Sequence, residues 1–301
     1  MNKKGFLVLI SFLFFSLQGY KSFATTLPPN SFHLLDDVRI VNNITEELFN
    51  KIIDHVVSLW APWAELHGAK LSADKKWASG VVNAYANQSK KDWTVYMYGG
   101  LARRAELTPD GFALVVCHEL GHHFGGYFFY KSSNQWAASE GQADYFATSV
   151  CAKTAFVNTP WENPIDSEVV PEFVQKNCNQ AWNTQLEQKL CYRNALAGQS
   201  LANLMAALGS SGKPKFETPD TKVVTETYDY HPQAQCRLDT YFSGTLCLAS
   251  FDSKLIPGKN EQTETGNNTI EAELEAAKYS CMSASGYTVG LRPTCWFKTL
   301  K

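Results

Sequence analysis

What the sequence lacks narrows what the chain can be. No two cysteines stand in C-x-x-C spacing, which removes the zinc-ribbon class of metal site. No basic surplus exists: 27 Lys and Arg stand against 29 Asp and Glu, a net charge of -2, so nucleic acid is not an expected partner. There is no long acidic run, no internal repeat and no low-complexity stretch, which leaves an ordinary globular chain with ample material for a core. Beyond the N-terminus no apolar run approaches the about 20 residues that a membrane span requires.

What is present begins at that N-terminus. Lys3 and Lys4 precede an almost unbroken apolar run from Phe6 to Leu17, and Ser22-Phe23-Ala24 sets small residues at the two positions a signal peptidase reads. Residues 1–24 therefore read as a cleaved secretory signal, the alternative being an uncleaved anchor. Its removal takes three lysines and no acids, moving the net charge from -2 to -5. The chain is expected to be exported, to a periplasm first and to the medium second, with no stable membrane span after cleavage. Eight cysteines remain: Cys117, Cys151, Cys178, Cys191, Cys236, Cys247, Cys281 and Cys295. An even number in an exported chain favours disulfides. Cys178–Cys191, Cys236–Cys247 and Cys281–Cys295 would close short loops, but spacing does not fix the connectivity, and Cys117 reads equally well as a small buried apolar residue.

The periodicities predict an α+β, mainly helical domain over 25–301, its last 30 residues a disulfide-stapled extension. Residues 25–44 read as an irregular lead-in. Thr45 caps a helix over about 46–60, with Leu48, Ile52, Ile53, Val56 and Trp60 on one face and Pro62 as its expected end. Two strands, 81–86 and 93–98, flank a polar hairpin connection. Thr108-Pro109-Asp110 starts a helix that should reach about His123 and stop at Gly125-Gly126. Further helices are predicted over about 137–153, 170–190, 192–208 and 271–279, with another after Pro232. Residues 210–220 and 253–268 read as loops.

The chemistry concentrates in His118-Glu119-Leu120-Gly121-His122. Four residues apart on a helix, His118 and His122 share a face, and two imidazoles so placed reach one zinc at about 2 Å each. Glu119 lies beside the open coordination position, where it can take a proton from a water on the metal. A catalytic zinc usually has three protein ligands, and Glu140, 18 residues after His122 at a helix start, is the candidate third. Asp144 falls on the same face as Glu140 and can accept a hydrogen bond from the non-ligating nitrogen of His118 or His122. His123 points away around the helix and reads as packing. The aromatic run Tyr127 to Tyr130 reads as core or pocket wall, and Arg103-Arg104 as a solvated turn.

Val82 to Phe146 resembles the CaaX-prenyl-protease and HtpX-like family of gluzincin metallopeptidases. The resemblance lies in Asn83-Ala84, in Val95 to Leu101, in the helix from Leu107 to His122, and in Glu140-x-x-Ala143-Asp144. Downstream, His231-Pro232 with Arg237 resembles a His-Pro element with a trailing arginine. The resemblance implies a gluzincin core with a small β-sheet next to the active-site helix, and one zinc per chain held by His118, His122 and Glu140. It implies Glu119 as general base, and strand 93–98 beside the cleft holding a peptide or protein substrate by strand addition. His231 would stabilise the tetrahedral intermediate or, in a latent enzyme, cap the metal; its alternative is a loop histidine packed on Pro232. Many members of that family span membranes, which this chain does not suggest. The expected function is zinc-dependent endopeptidase action on exported or envelope proteins. Its alternative is a non-catalytic or latent metallopeptidase-like binding or chaperone module.

Overall fold

Thr108 caps the central helix as expected. Its Oγ1 accepts from the Gly111 N–H at 3.0 Å, Pro109 occupies the first turn, and the helix closes at Phe124. The computed structural model describes residues 24–34, 42–132, 134–161, 169–209, 211–260, 262 and 264–299. Of the expected signal segment only Ala24 lies among them, so residues 1–23 stand outside the described residues.

The elements run in the order β1 (Ala24–Thr25), α1 (Glu46–Leu66), β2 (Lys70–Lys76), β3 (Ala84–Ser89), β4 (Asp92–Tyr98), α2 (Gly99–Ala102) and α3 (Pro109–Phe124). Then follow α4 (Glu140–Phe146), a π-helical turn (Ala147–Cys151), α5 (Ala152–Ala155), α6 (Glu172–Ala181), α7 (Gln185–Gly209) and α8 (Ala234–Leu246). A two-residue ribbon, β5 (Lys259–Asn260) with β6 (Thr265–Gly266), and α9 (Ile270–Ala276) complete the list. Helix exceeds strand, 45% to 12%, so the chain is α+β and mainly helical.

The larger sheet has the order β1-β3-β4-β2. β3 and β4 form the expected antiparallel hairpin with a shorter connection: Asn87 to Ser89, expected in the loop, pair with Asp92 to Thr94, and Lys90 supplies the positive φ of the turn. β2 pairs parallel to β4 along its whole length. This bears on the expectation for strand 93–98: both edges of β4 are filled, by β3 and β2, and β3 carries β1 on its other edge. The sheet packs on α3, and α1 covers β2 and α3 together. Phe49, Ile52, Ile53, Val56 and Trp60 of α1 join Phe112, Leu114, Val116 and Leu120 of α3 in one apolar core that extends to Trp296 and Phe297. A smaller core lies between α6, α7 and α8, around Val174, Ala195 and Leu238.

Expectations about helix limits and one arginine also change in the structure. Pro62 does not end α1, which continues to Leu66. An interior proline costs about 3 kcal/mol, and packing past it supplies the offset: Ala64 is fully buried and Trp63 stacks edge-on against Trp60 at 4.3 Å. The helix expected from 137 starts at Glu140, because Ala137 closes a turn on Asn134 and accepts from Tyr130, while Ala138 bridges Phe129 and donates to His122 O. The pair 170–190 and 192–208 divides instead at Trp182–Thr184. Arg103 is buried rather than solvated, donating to the carbonyls of Leu34, Trp77 and Ser79.

All eight cysteines are paired. Cys178–Cys191 joins α6 to α7 as spacing suggested, whereas the other two short loops do not form: the bridges are Cys236–Cys295 and Cys247–Cys281. Cys117 bonds Cys151, tying α3 to the end of the π turn. The last two bridges and Trp296 fasten the C-terminal stretch to the helices that carry the site. Among the described residues no helix is long and apolar enough to cross a membrane.

Candidate metal centre

α3 and α4 cross at unusually short range. A Cβ on Gly121 would stand 2.7 Å from Ala143 O, and one on Gly141 would meet the Trp296 ring at 2.3 Å. Glycine at these two places lets α4 lie in contact with α3 on one side and with the C-terminal stretch on the other. The crossing sets Glu140, first residue of α4, opposite the face of α3 that carries His118 and His122.

One ligand atom from each of His118, His122 and Glu140 lies within 4.8 Å of the other two, and all three side chains are fully buried. His118 Nε2 is 3.2 Å from Glu140 Oε2, and His122 Nε2 is 3.7 Å from Glu140 Oε1. The outward nitrogens are occupied. His118 Nδ1 meets Asp144 Oδ1 at 2.7 Å, as expected, and His122 Nδ1 faces Ala138 O at 2.8 Å. These contacts place a proton on each Nδ1, so either ring in its neutral form presents Nε2 as the acceptor. His118 Nε2, His122 Nε2 and Glu140 Oε2 are buried without a hydrogen-bond partner. Orphaned buried polar atoms are costly, and three converging on one point, each able to offer an electron pair, could hold a metal ion.

Glu119 lies next to this group, fully buried, with Oε2 also unpartnered. Burial pushes its carboxyl up to about 8, against the pull of His118, Thr26 and Arg237. A carboxylate tuned near neutrality is suited to general-base work. Glu140 moves the other way: burial is outweighed by His231, His122 and His118, which hold it well below the usual carboxylate range. For His118, burial opposes charge, but Asp144 and then Glu140 raise it to about 9; His122 is pushed down to about 4, mainly by burial.

His231, on the loop before α8, places Nε2 3.5 Å from Glu140 Oε1 and donates to Thr25 O at 2.8 Å. It lies beside the ligand group and not within it. Arg237 of α8 is buried and forms a two-pronged pair with Asp144, Nε to Oδ2 and Nη2 to Oδ1 at 2.6 Å each. His123 is stacked between Trp93 and Trp136, with centroids 5.2 Å away on each side, so it packs as expected.

Three residues escaped the sequence reading. Tyr130 donates its hydroxyl to Glu140 Oε1, from the aromatic run taken as core or pocket wall. Tyr241 donates to Asp144 Oδ1 at 2.6 Å, one helical turn after Arg237. Thr26 donates Oγ1 to Glu119 Oε1. The i, i+4 spacing of Arg237 and Tyr241 was a usable signal; nothing in sequence points from Thr26 or Tyr130 to this site. Comparison with protein-family models, curated proteins and solved structures finds no match for this chain.

Proposed function

We propose that the chain is a zinc-dependent endopeptidase that hydrolyses peptide bonds in exported or envelope proteins. The observation that carries this reading is the convergence of three orphaned buried ligand atoms, from His118, His122 and Glu140, beside the unpartnered Oε2 of Glu119. The resemblance of Val82 to Phe146 to gluzincin peptidases, carried in part by the same residues, points the same way. Four disulfides fit an oxidising compartment, which is where an exported chain would work.

A zinc ion held by His118, His122 and Glu140 would polarise the scissile carbonyl and make an adjacent water more acidic. Glu119 takes the proton of the attacking water, whose oxygen bonds to the carbonyl carbon. The same carboxyl returns that proton to the amide nitrogen as the C–N bond breaks. His231 Nε2–H donates to the carbonyl oxygen as negative charge develops there; burial lowers its pKa, so it acts as a neutral donor. Asp144, itself held by Arg237 and Tyr241, keeps His118 in the tautomer that presents Nε2. Tyr130 orients Glu140.

Metal analysis of the disulfide-intact protein should give one zinc per chain. Hydrolysis of an unfolded protein should fall by about 10²–10⁴-fold in Glu119→Gln with zinc retained. Full activity in that variant would sink the mechanism. One zinc with no hydrolysis of any peptide library would favour the binding-module alternative.

A further inference from the structure

The segment Ala24–Leu27 reaches the centre through main-chain bonds on both of its sides. Along one side it extends the sheet. Ala24 stands opposite Ala86 and Thr25 opposite Tyr85, and Thr26 N–H donates to Ala84 O at 3.3 Å. Asn83 then clasps Leu27, its Oδ1 accepting from Leu27 N–H and its Nδ2 donating to Leu27 O, each at 3.1 Å. Along the other side His231 Nε2 donates to Thr25 O at 2.8 Å and Arg237 Nη1 donates to Thr26 O at 2.6 Å. Between them the Thr26 hydroxyl donates to Glu119 Oε1. Ala24, Thr26 and Leu27 are buried, Ala24 in a small niche of Ala86, Tyr130, Ala137 and Trp136.

Ala24 and Thr25 pair with β3 as an extended peptide added to its edge would, and the chain bends at Thr26 and Leu27 toward Arg237 and Asn83. These contacts also carry a register. The Thr25 carbonyl meets His231, the residue assigned above to the carbonyl under attack, and the next side chain meets the general base. We infer that Ala24–Leu27 is a built-in pseudosubstrate: it fills the substrate strand position and holds the site latent. The peptides that replace it are extended strands with a small side chain in the Ala24 niche. This inference rests on the endopeptidase reading.

Two features make the segment an inhibitor and not a substrate. The Thr26 hydroxyl holds Glu119 Oε1, so one of the two carboxylate oxygens is tied to the segment while Oε2 stays unpartnered. The segment is also tethered close by: Asn30 Nδ2 donates to Val82 O, Leu34 N–H to Gly80 O, and Arg103 to Leu34 O. Short tethers give effective concentrations of about millimolar, so a dilute peptide in trans competes poorly. The contacts of His231, Arg237, Asn83 and Glu119 lie at or beyond Thr25, so removal of residues 1–24 would retain them while losing the Ala24–Ala86 pair and opening the Ala24 niche.

The test compares the full chain with Thr26→Pro, which loses both the N–H and the hydroxyl, and Thr26→Val, which loses the hydroxyl alone. The first readout is fluorescence anisotropy of a labelled Gly-Ala-Thr-Thr-Leu-Gly peptide against metal-free protein, which needs no catalysis. The second is hydrolysis of an unlabelled unfolded protein by the zinc-loaded forms. Thr26→Pro should bind the probe at least tenfold more tightly than the parent and hydrolyse at least tenfold faster; Thr26→Val should gain several-fold in both. Equal probe affinity in all three proteins overturns the inference. Tighter binding in the variants with no hydrolysis by any of them leaves the built-in occupant standing and removes the peptidase reading. Should Thr26→Pro lose its cooperative melt, Thr26→Val decides, and parental probe affinity in it overturns the inference.

Discussion

α3 and α4 each present a buried aspartate to a two-pronged arginine and an aromatic donor, yet only one of the two clusters reaches the candidate metal centre. At the start of α3, Asp110 accepts from Arg193 Nε at 2.5 Å, Arg193 Nη2 at 2.7 Å and Trp161 Nε1 at 2.8 Å. On α4, Asp144 accepts from Arg237 and from Tyr241 in the same pattern. Charge, burial and donor type are nearly matched. The difference is where the remaining donors go. Those of Arg193 end on Phe156 O and Thr159, fixed parts of the fold. The Asp144 cluster continues through His118 Nδ1 to an orphaned Nε2, and through Arg237 to Thr26 O. A buried ion pair alone therefore says little about function; unsatisfied atoms one step beyond it say much more.

The largest effect expected is on the orphaned atoms themselves. Glu140→Gln should abolish stoichiometric zinc, a loss beyond the about 10–100-fold typical of groups that merely orient a ligand. Competition against a chromophoric chelator measures it, and retention of parental affinity would remove Glu140 from the ligand set. The Asp110 cluster should register nothing in that assay. Its own test is thermodynamic. Asp110→Asn strands a partly buried guanidinium and should cost about 2–4 kcal/mol in denaturant unfolding, below the about 3–5 kcal/mol of a fully buried pair, with zinc content unchanged. Replacing both partners, as Asp110→Leu with Arg193→Met, should recover most of that loss, because a buried pair often exchanges for apolar residues at little cost. The comparison fails if the double variant loses zinc. A smaller shift is expected for Asp144→Asn: zinc affinity about 10–100-fold weaker, since His118 loses the group that fixes its tautomer. Unchanged affinity would make Asp144 as purely structural as Asp110.

The two clusters were unequally legible in the sequence, for physical reasons. Helix capping and i, i+4 spacing are local, so Thr108-Pro109-Asp110, the His118/His122 pair and the Glu140/Asp144 pair could be read directly. The Arg193–Asp110 contact spans 83 residues and leaves no periodic trace. Thr26 and Tyr130 reach the centre for the same reason, brought by a strand edge and by a loop. β2 was missed because Lys70–Lys76 is mostly polar; only Leu71 and Ala73 are apolar, and its place is set by backbone pairing with β4. Pro62 misled because a local steric rule was overridden by Trp60, Trp63 and Ala64 packing one turn on either side. Disulfide spacing succeeded only where two helices meet directly, at Cys178–Cys191.

Lys153 provides the last contrast, a cation with neither kind of partner. Its ammonium donates to Cys247 O and lies 4.7 Å over the Trp182 ring, with burial pushing its pKa down to about 7. Arg193 and Arg237 avoid that penalty by pairing with carboxylates. A lysine depressed in the folded state binds fewer protons there than in the unfolded chain between about pH 7 and its ordinary value near 10.5. Stability therefore rises with pH across that window, since it increases wherever the unfolded state holds more protons. Thermal melts of the parent from pH 7 to pH 9 should include this rise, and Lys153→Met should lack it while being the more stable protein at pH 7. With every cysteine in a disulfide, no free thiol confounds the alkaline melts. Parallel curves for the two proteins would mean that Trp182 and the carbonyl compensate the charge fully, making Lys153 a third satisfied cation.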